Sequence, residues 1–233
     1  DLAAAVRRLD RAIAAGDVIR GEWTRAEGGR ERACLLAALA PVCGVERTSS
    51  ACPAEVLPPW LAACVPWIDD AGTEGVWPET IRTFADLLRD SASVAAPALW
   101  ERLSLHWRRI ALAEAMAHTD DLAALGVCAE VAAMLDAELA GESIDPVAWT
   151  AAEVTTVAAW PAASAAATWV AMSATSAATW SPQRAVRART SADAAAAAAG
   201  ARRAAQAAAD RITFEFFAAW RAELDAQTTG DRS

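Results

Sequence analysis

Glu114 and His118 lie four residues apart, one turn of a helix, and Asp120 and Asp121 follow just beyond. On a shared face, a carboxylate and an imidazole with further carboxylates nearby can bind a divalent metal or work as an acid–base pair. The di-iron bundle pattern, however, requires Glu-x-x-His twice with glutamates on facing helices, and neither copy is in this sequence. Histidines and aspartates at helix ends also serve as caps and dipole partners, and a structural role is expected for this group. Asp69 and Asp70 could supply paired carboxylates. Adjacent helical residues diverge by about 100°, so a turn or helix-end role is expected there too. His106, in an apolar stripe, is expected to be a core histidine.

Several chemistries are excluded by composition. All 21 basic residues are arginine, and the chain has no lysine, asparagine or tyrosine. Without lysine there is no Schiff base, no pyridoxal phosphate anchor and no P-loop lysine. The net charge of −9 argues against general nucleic-acid binding, which needs a basic surface. One local exception is Arg184, Arg187, Arg189, Arg202 and Arg203, opposed only by Asp193. A solvated helix end and loop accounts for these arginines, and a patch docking an acidic protein is the functional reading. No cofactor is expected.

The five cysteines (Cys34, Cys43, Cys52, Cys64 and Cys128) contain no CxxC pair and no neighbouring histidine cluster. A zinc site is therefore not expected. Small buried thiols in a reducing compartment fit best, with a Cys43–Cys52 bridge as the lesser reading. The chain starts at Asp1, which leaves room for a removed leader. A cytoplasmic location is expected.

The elements that would position these residues are helical. Roughly a quarter of the residues are alanine, the best intrinsic helix former. Leu2, Val6, Leu9 and Ile13 form one apolar stripe on a first helix ending at Gly16. A second helix is expected from about Arg30 to Ala40, closed by Pro41. Prolines at 53, 58, 59 and 66 suggest two short helical pieces carrying Trp60 and Trp67, and residues 67–75 read as a turn-rich connection. Pro78 suits the start of a helix to about Arg89. Pro97 opens an amphipathic helix with Leu99, Leu103, His106, Ile110, Ala113 and Ala117 on one face. Another helix runs from about Leu122 to Gly141, and Asp145–Pro146 is a helix start. Ser191 caps a long final helix running on to Ile212, Phe214, Phe216, Phe217 and Trp220.

Between Pro146 and Gln183, Glu153 is the only charged residue, and Trp149/Trp160 and Trp169/Trp180 each recur 11 residues apart. That spacing is close to three turns and forms a weak internal repeat. A membrane span over 154–180 is disfavoured by its hydroxyls, an internal proline and the lack of leucine, isoleucine and phenylalanine. Closely packed helices with tryptophan filling gaps are expected instead. The fold class expected is all-α, a bundle of about seven to nine helices. It forms a single domain over 1–233, with 1–141 and 142–233 as possible subdomains. Eleven tryptophans are either core or, if exposed, a binding face.

The segments ERACLLAALAP (31–41) and AAAAAAGARRAAQAAADR (194–211) together resemble the alanine-rich helical immunity proteins of bacterial polymorphic toxin systems. The resemblance covers the two ends and implies a cytoplasmic protein that neutralises a toxin by binding it; it assigns no residue a role. The reading that follows is a non-enzymatic helical protein whose task is to bind another protein, a toxin or a second copy of itself. The alternative is a small-ligand or metal-dependent helical enzyme using Glu114, His118 and nearby carboxylates.

Overall fold

A computed structural model describes residues 1–39, 56–94, 97–117, 122–149 and 191–230. It is mostly helical with one small two-stranded sheet, so the all-α, multi-helix architecture expected from composition is what the chain adopts. Helix α1 (Leu2–Ala15) starts on Asp1, whose carboxylate accepts the Ala4 amide at 2.7 Å. It ends on Gly16 at φ 69°, a left-handed position that glycine adopts without strain. Ala5, Val6 and Leu9 are buried on the stripe the sequence marks out.

The next stretch departs from expectation. Residues 24–27 (β1, Thr24–Glu27) and 30–33 (β2, Arg30–Ala33) form an antiparallel hairpin, and only Leu35–Leu39 is helical (α2). Gly28 and Gly29 both have positive φ (59° and 79°), the requirement of a tight two-residue hairpin turn. The Ala33 amide donates to the Asp17 carbonyl and the Ala33 carbonyl accepts from Ile19, each at 2.9 Å. Sheet pairing thus takes the backbone groups that a helix from Arg30 would need.

The two helical pieces expected around Trp60 and Trp67 are one continuous helix, α3 (Pro59–Asp70), with Pro66 inside it. Proline there removes one helical hydrogen bond. Leu61, Ala62, Val65 and Ile68 are all buried, and that apolar burial favours keeping the helix intact. The connection expected over 67–75 therefore shrinks to 71–76. Helix α4 (Trp77–Ser93) has proline in its first turn and buries Thr80, Ile81, Phe84, Ala85, Leu87, Leu88 and Ser91. α1 packs on α2 and α4, and α3 packs on α2 and α4.

Helices α5 (Pro97–Ala117), α6 (Leu122–Leu139) and α7 (Ser191–Gly230) complete the described elements. On α5, Leu99, Leu103 and Ile110 are buried as expected. The stripe then drifts: Ala113 and Ala117 are exposed, while Glu114 and Ala115 are buried. α6 is followed by Gly141 at φ 88°. Asp145 begins a helical turn over 146–149, its carboxylate accepting the Val147 amide at 2.8 Å.

The chain divides into two compact units, residues 1–100 with 217–233, and residues 101–216. In the first, Phe84 meets Trp220 edge-on at 5.9 Å and Phe217 at 6.2 Å, and Trp100 meets Trp220 at 5.6 Å. In the second, Trp107 meets Phe216 edge-on at 5.1 Å. Such pairs add to the burial of the rings themselves. The alanine- and tryptophan-rich stretch over 150–190 lies outside the described residues.

Candidate functional site

Asp69 and Asp70 end α3, and their side chains serve different neighbours. Asp69 is 2% exposed. Its Oδ1 accepts the Trp77 indole N–H at 2.7 Å, and its Oδ2 accepts the Leu35 amide at 3.1 Å, the first amide of α2. Asp70 Oδ1 accepts the Gly21 amide at 2.8 Å. The Arg20 guanidinium donates to the Asp70 carbonyl at 2.7 Å and to the Gly72 carbonyl, closing the C-terminal end of α3. The two carboxylates do not share a proton. They fasten α2, α4 and the 20–21 segment to one helix end.

Burial pushes the Asp69 carboxyl up to about 6, against the opposing pull of the Trp77 and Leu35 donors. Burial likewise raises the Cys34 thiol to about 11 and the Cys64 thiol to about 12. Cys34, Cys64 and Cys128 are free thiols. Cys43 and Cys52 lie outside the described residues.

Glu114 is buried on α5 and pairs with Arg211 of α7 at 2.5 Å, within the second unit. His118, Asp120 and Asp121 lie outside the described residues. Among the described residues no group of three or more histidine, cysteine, aspartate and glutamate side chains is arranged to hold a metal ion. His106 is half-buried on α5.

Of the five arginines singled out in sequence, Arg184, Arg187 and Arg189 lie outside the described residues. Arg202 and Arg203 are consecutive on α7 and exposed. No acidic residue occurs within four positions of either, and neither pairs with a described residue. Arg7, Arg11, Arg82 and Arg108 are likewise exposed and unpaired among the described residues, but none of them has a second such arginine next to it in the sequence. Arg89 bridges Asp10 and Asp86, Arg221 bonds Asp90, and the half-buried Arg109 bonds Asp136.

None of the described tryptophans is exposed. Trp220 is fully buried, and the half-buried Trp149 donates to Glu138 at 2.9 Å. Among the described residues, only Trp220 belongs to the buried core, and the other seven tryptophans are half-buried. A shallow groove of about 290 Å³ in the first unit is lined by Ala3, Val6, Arg7, Asp10, Arg89 and Ser93, among others. Its polar rim is largely occupied by the Arg89–Asp10 pair at 2.7 Å.

No local signal in the sequence singles out Ser91, which takes part in two buried hydrogen bonds, or Trp77, which donates to the buried Asp69 carboxylate. The Trp220 partner of Ser91 is 129 residues away, and Trp77 meets Asp69 only because the 71–76 turn brings α4 back onto the end of α3. No family model, curated protein or solved structure matches the chain.

Proposed function

We propose that this chain acts by binding another protein, through a surface on α7 that includes Arg202 and Arg203. The observation that supports this reading is the pair itself: two adjacent, exposed guanidiniums with no counter-ion among the described residues, in a chain of net charge −9. Arginine is the cation that pairs best with carboxylates at interfaces, and charge of one sign left unneutralised steers an oppositely charged partner. The buried or bonded carboxylates of Asp69, Asp70 and Glu114 serve structural contacts instead. The partner is an acidic protein surface, and the likeness of both chain ends to immunity proteins of toxin systems makes a toxin the leading candidate. The chain then works in the cytoplasm as a non-enzymatic neutraliser.

The test is capture from the native host with the tagged full-length chain, run beside R202E/R203E. A protein held by the first and lost by the second supports the proposal. An empty capture, or equal retention by both, contradicts it. For the toxin reading, the captured protein must be toxic when expressed alone and harmless when co-expressed with this chain.

A further inference from the structure

The carboxyl group of Asp69 differs from those of Asp10, Asp86 and Asp90 in the first unit. Asp10, Asp86 and Asp90 face solvent or half face it, and each bonds an arginine. Asp69 is 2% exposed, and its two hydrogen-bond partners, the Leu35 amide and the Trp77 indole, are both neutral. Arg20, whose charge acts weakly on Asp69, directs its guanidinium to the carbonyls of Asp70 and Gly72 rather than to the Asp69 carboxylate. The neighbouring charge on its own helix, Asp70, is of the same sign, and from the α2 side it faces the neutral thiol of Cys34. A buried charge is costly unless an opposite charge is paired with it. Here three helices meet on one that is held by neutral donors only.

We propose that Asp69 is a proton-operated clasp on the junction of α2, α3 and α4: protonated, in mildly acidic solution, it holds the junction without a buried charge; ionised, near neutral pH, it leaves the junction easier to open. The neutral acid keeps a carbonyl oxygen to accept the Trp77 indole, so the shorter of the two bonds persists in both forms. The folded-state value of about 6 lies above the ordinary 3.8. The stabilisation is accordingly full below 3.8 and is lost as pH rises through about 6.

The experiment is a titration of the full chain labelled with ¹³C at aspartate, the Asp69 carboxyl being assigned by its absence from D69N. A midpoint near 6, followed by the Trp77 indole N–H, is the expected result. In urea unfolding, the folding equilibrium constant of the wild type should rise from pH 7.5 to pH 5 by about tenfold more than that of D69N. A midpoint at or below about 4.5, the range of an ordinary carboxyl, overturns the proposal, as does a D69N variant with the wild-type pH dependence. If D69N does not fold, sequential assignment in the wild type gives the same midpoint and the same decision.

Discussion

The indole N–H of Trp220 donates to Ser91 Oγ across 2.9 Å, and the Ser91 hydroxyl donates to the Leu87 carbonyl at 2.8 Å. Both residues are buried, in α7 and α4 respectively, so a polar relay runs through the aromatic core of the first unit. S91A removes the acceptor from this indole while leaving its ring in place. Loss of a buried acceptor costs about 1 to 3 kcal/mol, whereas W220A, which also opens a cavity beside Phe84 and Trp100, should cost about 3 to 5 kcal/mol. Urea unfolding followed by circular dichroism measures both, and the order S91A milder than W220A is the expected outcome.

The ion pair between Glu114 and Arg211 occupies the only described member of the His118 group. The purified protein is accordingly expected to carry no stoichiometric divalent metal by elemental analysis. Metal present at one equivalent and lost on H118A would favour the metal-dependent alternative. R211A should cost about 1 to 3 kcal/mol, because it takes the counter-charge from the buried Glu114 carboxylate while the exposed arginine side of the pair is screened.

Raised thiol values govern reactivity at Cys34 and Cys64. Since the thiolate is the nucleophile, values of about 11 and 12 leave little of it at pH 8. Iodoacetamide at pH 8 should modify both thiols far more slowly in the native protein than in urea. Peptide mass spectrometry reads this directly, and equal rates in the two conditions would contradict the burial described.

Helix class and most helix starts were legible in the sequence because their causes are local. Proline at 78 and 97, Asp145 before Pro146, and glycine at 16 and 141 all act within a turn of where they stand. The hairpin was not, although Gly28–Gly29 carries its signal, because the flanking TRAE and RERA segments are too charged to show an apolar alternation. Its pairing is completed by Asp17 and Ile19, outside the hairpin itself. Continuity of α3 through Pro66 was also hidden, since it depends on neighbouring helices covering Leu61, Val65 and Ile68.

Among the candidate residues, the divergent roles of Asp69 and Asp70 followed from helix geometry alone. Their partners did not, because Leu35, Trp77 and Gly21 are brought to them only by the fold. The arginine pair was visible in sequence as a local excess of charge, and its exposure is what the structure adds.

A photo-crosslinking amino acid at Ala207, exposed one turn beyond Arg203 on α7, tests the binding surface in living cells of the native host. A single crosslinked protein with an acidic surface is expected, lost in the R202E/R203E background and absent when the same crosslinker replaces Arg11 on α1. A crosslink that survives the charge reversal, or none at all, would contradict the proposed binding surface.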